Sequence, residues 1–265
     1  MSDASERLGW AEPATTRDEY FQRWSQLHGG VDPNASRLTR WWLTFAYVVA
    51  RPITAMGVSP NGMTLIGAVV ALLVPLLGWL SSRQAAPTAG AWVPLTDGAA
   101  TTGGSLWLWL AVLACAVSGL ADNLDGAVAV ISGRTTKWGY VLDSVVDRLS
   151  DAALLVALWA IGAPAAVCVA AGFLTVLQEY SRARAGAAGM SEVGVVSIWE
   201  RPTRVIVTAV FIALAAIAPY GLTAAGWASI GAYAALGLSV FGLTQVTWAI
   251  RAALRSMERP RSSSQ

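Results

Sequence analysis

The sequence predicts an all-α protein: a polytopic membrane bundle of six transmembrane helices preceded by an interfacial amphipathic helix. Three observations carry that expectation. Of 265 residues, 55% are hydrophobic and only 13% charged, with a mean hydropathy of +0.53. That is too apolar for an ordinary soluble domain and fits helices whose faces meet lipid or one another. Six stretches, 62–82, 105–131, 138–162, 163–182, 203–220 and 227–250, qualify as spanning helices, which need about 20 mainly apolar residues. Basic residues then fall almost wholly on one side of the layout these stretches define.

Taken in order, residues 1–36 form a polar segment with Asp, Glu and Arg and no apolar core. It holds no cleavable signal peptide, so the N-terminus is expected in the cytosol. Residues 37–59 follow, with apolar positions interrupted by Arg37, Arg40 and Arg51 and with Pro52 restricting the backbone before it. This pattern predicts an amphipathic helix lying along the membrane surface, with Trp41 and Trp42 at headgroup level. A seventh span is the competing reading, and Arg51 makes it costly. Residues 60–252 hold the six spans, and 253–265 read as a disordered cytosolic tail.

With a cytosolic N-terminus, the outer connections are roughly 83–104, the tight turn at Ala163–Pro164, and 219–226. Of the 18 Lys and Arg residues only Arg83 falls there. Arg134 and Lys137, then Arg182, Arg184, Arg201 and Arg204, then the arginines after the last span, all fall on the other side. That asymmetry places both termini in the cytosol. The Ala/Gly/Thr-rich stretch 84–104 reads as an outer loop, and Cys115 and Cys168, inside apolar runs, as reduced packing residues.

Against this background stands Ala121–Asp151, ADNLDGAVAVISGRTTKWGYVLDSVVDRLSD, which places Asp122, Asp125, Asp143, Asp147 and Asp151 beside very apolar segments. Asp122 and Asp125 are three residues apart near the cytosolic end of span two. Asp143 and Asp147 are four apart near the start of span three. Each pair therefore shares a helix face, and the two faces can meet across an antiparallel hairpin. Carboxylates gathered at membrane depth repel unless neutralised, and a hard divalent cation with oxygen ligands is the natural partner. In a second reading they lie in water and pair with Arg134, Lys137 and Arg148. A third, an ion pathway, needs carboxylates spread through the bilayer, whereas these gather at one end.

The spacing Asp122-x-x-Asp125-Gly126-x-x-Ala129, then Gly139-x-x-x-Asp143-x-x-x-Asp147, resembles the signature of the CDP-alcohol phosphatidyltransferases. That resemblance implies an integral-membrane enzyme of the bacterial inner membrane with its site facing the cytosol. The enzyme would move the phosphatidyl group of CDP-diacylglycerol to an alcohol and release CMP. It further implies that Asp122, Asp125, Asp143 and Asp147 hold two Mg²⁺ or Mn²⁺ ions, that Asp147 is the general base, and that Gly126 admits the nucleotide to the helix backbone. Asn61 and Thr64, in the stretch VSPNGMT, match a Pro-Asn/Asp-x-x-Thr element of the family and would bind the CDP headgroup together with Thr136. Helix capping is the plain alternative for Asn61 and Thr136, and close helix packing for Gly126 and Gly139. One position departs from the pattern: the family has Arg after the motif Ala, and this chain has Val130. Arg134 or Lys137 would then take over the diphosphate contact.

Arg182, Arg184, Arg201 and Arg204 flank the third cytosolic connection. Orientation alone explains some of them. The functional reading is a basic pocket for an acceptor that already bears a phosphate, inositol phosphate or glycerol 3-phosphate. That pattern resembles phosphatidylinositol phosphate and phosphatidylglycerophosphate synthases. The expected partners are thus CDP-diacylglycerol, a polyol phosphate and membrane lipid, with no nucleic acid, and the resemblance allows a homodimer. The alternative from another class is a non-catalytic relative, altered at Val130, that serves as a lipid-binding or scaffold protein.

Overall fold

A computed structural model of the chain describes residues 14, 16–27, 30–84, 102–190 and 197–258, without the side chains of 102–104. The stretch expected to form the outer loop falls largely outside the described residues. The described residues form α-helices and a short 3₁₀ turn, with no strand among them. The helices are α1 (Arg17–Leu27), α2 (Arg37–Ala55), α3 (Pro60–Gln84), α4 (Thr102–Ser132), α5 (Lys137–Ile161), α6 (Ala165–Ala187), α7 (Arg201–Ile217) and α8 (Ala224–Glu258).

Local chemistry sets these boundaries. Ser36 caps α2 by accepting the Leu38 N–H at 3.2 Å, and Ser59 caps α3 by accepting the Gly62 N–H at 3.1 Å. Between them Gly57 takes φ +82°, a left-handed turn suited to glycine. Gly162, at φ +133°, turns the chain from α5 to α6 ahead of Pro164, and a Cβ there would sit 2.6 Å from that of Ala225.

Two features depart from the expected layout. Helix α1 forms inside the polar N-terminal stretch, started by a reciprocal cap: Thr16 N–H donates to Glu19 at 3.2 Å and Glu19 N–H to Thr16 Oγ1 at 3.3 Å. Helix α8 continues to Glu258, past the expected start of the tail at 253, because AALRSME is made largely of good helix formers and no breaker comes before Pro260. Residues 259–265 lie outside the described residues.

Among the described residues, three helices are long and apolar enough to cross a membrane: Pro60–Gln84, Ser105–Ser132 and Ala224–Met257. On α3, Leu65, Ile66, Val69, Leu72, Leu73 and Leu76 are all exposed, an outer surface that belongs in hydrocarbon rather than water. The chain is an integral membrane protein.

The helices distribute between two compact units. One takes Val117–Leu149 and the chain up to Val70; the other takes Ala71–Ala116 and the chain from Ser150. The first has an apolar core in which Tyr20 and Phe21 of α1, Leu43, Ala46, Tyr47 and Ala50 of α2, and Leu124, Ala127, Val128 and Val130 of α4 are buried. In the second, α6 and α7 pack on α8. Ala228, Ala232, Ala235 and Ser239, all fully buried, give α8 a small-residue face that lets backbones approach closely.

Candidate active site

In the first unit, α4 carries Asp122 and Asp125, and α5 carries Asp143 and Asp147. The four-residue link between the helices holds Gly133 at φ +66°, and Thr136 Oγ1 caps α5 by accepting the Gly139 N–H at 2.9 Å. The capping role read for Thr136 is thus present. Carboxylate oxygens of Asp122, Asp143 and Asp147, all half-buried, lie within 4.8 Å of one another. Three negatively charged oxygens so close repel strongly, and the donor set fits one hard divalent cation.

Asp125 is 8% exposed and turns instead to Thr64, whose hydroxyl donates to its Oδ2 at 2.7 Å. It still lies within electrostatic reach of Asp143 and Asp147. The four aspartates therefore gather in one unit, three converging directly and the fourth held from α3. Asp147 also accepts from Arg148 at 3.4 Å.

The residues expected around the nucleotide fall into three groups. Thr64 is buried and engaged by Asp125. Asn61 meets the start of α5: a Cβ on Gly139 would stand 2.9 Å from Asn61 Oδ1 and 3.1 Å from Thr136 Oγ1. Gly139 is thus a close-packing glycine. Gly126 differs, being exposed with nothing within 4 Å of where its Cβ would stand. Arg134, Thr136 and Lys137 are exposed in the α4–α5 connection or at its edge. Val130 is 4% exposed, inside the apolar core.

The four arginines assigned to the acceptor lie in the second unit, where Arg204 and Arg182 meet carboxylates. Arg204 is 3% exposed. It donates to Asp151 Oδ2 at 2.7 Å, to Glu179 Oε1 at 2.7 Å, and to the Trp199 carbonyl. Arg182 forms a two-pronged pair with Glu200, one prong at 2.9 Å, and approaches Glu179 at 3.4 Å. Arg184 is exposed and Arg201 half-buried. Burial alone would raise the Glu200 carboxyl; hydrogen bonds from Arg182 and the Ser197 N–H, with the Arg182 charge, outweigh it and hold it below the usual carboxylate value. Sequence reading missed Glu179 and Glu200. Glu179, three residues before Arg182, carried a helix-pair signal.

The CDP-alcohol phosphatidyltransferase family model matches residues 57–241. A phosphatidylinositol phosphate synthase of Corynebacterium glutamicum is 32% identical over 189 residues, covering 68% of this chain and 74% of the relative. An archaetidylinositol phosphate synthase of Pyrococcus horikoshii is 31% identical over 169 residues, covering 62% of this chain and 73% of the relative. The fold is similar to that of the Mycobacterium tuberculosis phosphatidylinositol phosphate synthase solved with CDP-DAG bound. That match has a TM-score of 0.60 and 22% identity, and covers 81% of this chain and 98% of that one. The same enzyme in complex with manganese and citrate gives a TM-score of 0.61.

Proposed function

The chain belongs to the CDP-alcohol phosphatidyltransferase family, and from that premise we propose that it transfers the phosphatidyl group of CDP-diacylglycerol to inositol phosphate, releasing CMP. The observation that carries the proposal is the meeting of Asp122, Asp143 and Asp147 within 4.8 Å at the positions the family motif specifies. Inositol phosphate is favoured over glycerol 3-phosphate because the relatives described above are an archaetidylinositol phosphate synthase and a phosphatidylinositol phosphate synthase.

Asp122, Asp125, Asp143 and Asp147 would hold divalent cations, two Mg²⁺ or Mn²⁺ ions in this reading, which would neutralise the diphosphate and acidify the acceptor hydroxyl. Asp147 accepts the hydroxyl proton as the acceptor oxygen attacks the β-phosphorus. The bond from that phosphorus to the bridging oxygen breaks, CMP leaves with that oxygen, and the proton passes from Asp147 to water. Asp151 is the less suited base, because its carboxylate already accepts from the buried Arg204 guanidinium. The open backbone at Gly126 receives the nucleotide, flanked by Asn61 and Thr136. Thr64 acts by holding Asp125. Arg134 or Lys137 supplies the cation that position 130 lacks.

For the acceptor phosphate, Arg182, Arg184, Arg201 and Arg204 are the candidates; Arg184 is the exposed one of the four, while Arg182 and Arg204 already pair with Glu179, Glu200 and Asp151. In this proposal α3 to α8 are six spans, α2 lies at the interface, and the site faces the cytosol of a bacterial inner membrane. The distribution of Lys and Arg supports that orientation. The test is CMP release by purified protein in lipid nanodiscs with CDP-diacylglycerol, Mg²⁺ or Mn²⁺, and a panel of inositol phosphate, glycerol 3-phosphate, inositol and serine. Release with inositol phosphate supports the proposal. Release with glycerol 3-phosphate alone reassigns the acceptor, and no release with any acceptor sinks the catalytic reading.

A further inference from the structure

The motif position that departs from the family leads to a second role for the N-terminal segment. Val130 is 4% exposed and belongs to the same apolar cluster as Ala14, Tyr20 and Phe21. The Ala14 N–H donates to the Ile131 carbonyl at 3.1 Å, tying the segment to the last turn of α4. Tyr20 packs against Tyr47 with the rings tilted by 37° and their centroids 5.7 Å apart, joining α1 to α2. Gly126, one turn before Val130 and so its neighbour along the helix, is exposed with open space beside it. This side of α4 is therefore open at Gly126 and buried at Val130.

We infer that α1 is a positioning element of the transferase, docked on the end of α4 through the apolar residue at 130, with Tyr20 and Phe21 as its anchors. An arginine at 130 would carry a guanidinium into a cluster of apolar side chains, where losing its hydration is costly. The motif arginine and the docked α1 exclude each other. With α1 in place, the last turn of α4 is fixed, and with it the link that carries Arg134 and Thr136. This consequence for catalysis rests on Gly126 marking the nucleotide face, as proposed above; the docking itself does not.

The test compares wild type, Val130→Arg, Phe21→Ala, the double variant, and the conservative Val130→Ile, all full length in nanodiscs. Hydrogen exchange is read over residues 17–27 and 127–134, and CMP release is read with CDP-diacylglycerol. Val130→Arg and Phe21→Ala should each speed exchange in both stretches and raise the KM for CDP-diacylglycerol about tenfold, with kcat changed about twofold at most. The double variant should be no worse than the worse single, since both remove one contact. Val130→Ile and the exposed control Gln26→Ala should match wild type. Unchanged α1 exchange in Val130→Arg overturns the inference, as does a fully additive double variant. Equal or better CDP-lipid use by Val130→Arg also overturns it. The exchange measurement decides the docking even if no variant releases CMP, so failure of the proposed function would be recognised separately.

Discussion

Asp147 and Asp125 carry the same group in different surroundings. Asp147 is half-buried among converging oxygens, whereas Asp125 is buried and tied to Thr64. Asp147→Asn keeps the shape and removes the basicity, so kcat should fall about 10²- to 10⁴-fold while CDP-lipid binding largely survives. Steady-state kinetics with a binding measurement checks this. Full activity in Asp147→Asn together with loss in Asp151→Asn would move the base to Asp151. Thr64→Val leaves a buried carboxylate oxygen without its donor, a change expected to cost about 1–3 kcal/mol. Thermal unfolding should show that loss in Thr64→Val and its recovery in Thr64→Ser. The aspartate pairs were legible in the sequence because spacings of three and four residues are a local property of a helix. The Thr64–Asp125 bond was not, since it joins residues 61 apart.

At the scale of elements, the second unit is pinned by charge in a buried place. Arg204 links α7 to Asp151 of α5 and Glu179 of α6. Replacing Arg204 with Met removes a charged partner from Asp151, itself 5% exposed, and should destabilise the protein by about 3–5 kcal/mol. Unfolding of Arg204→Met in detergent should show this; an unchanged midpoint would mean the pair contributes nothing. The Arg182–Glu200 pair gives a pH signature. Because Glu200 is held below its ordinary value, its contribution is full above about pH 4.3 and is lost as pH falls through the folded value. The stability gap between wild type and Glu200→Gln should therefore close on acidification, and a gap that widens would contradict the assignment. Periodicity and apolar length located α3 to α7 and the start of α8, but not the end of α8, which runs on to Glu258. They could not show that Arg204 is committed to partners 53 and 25 residues away. Helix α1 was legible in principle, since Thr16-Arg17-Asp18-Glu19 is a capping box, but the polarity of its surroundings masked it.

For the molecule as a whole, membrane residence and chemistry meet in one design. Carboxylates cluster in one unit of a protein whose helices otherwise offer apolar surfaces to lipid. Such a cluster is tolerable where cations neutralise it, and a lipid-linked diphosphate would bring its reacting phosphorus there while its chains stay in the bilayer. The family, the helical fold and the aspartate pattern were all legible because the motif is long and each half lies within one helix. The burial of position 130 was not, because the cluster it joins draws on α1 and α2, far earlier in the chain. The most direct test is the divalent-ion dependence of CMP release from CDP-diacylglycerol in nanodiscs, measured for wild type and Asp143→Asn. Release should require added Mg²⁺ or Mn²⁺, and Asp143→Asn should raise the half-saturating ion concentration at least about tenfold. Release that persists in chelator, or the same ion dependence in both proteins, would contradict the assignment of these aspartates as the metal centre of a phosphatidyltransferase.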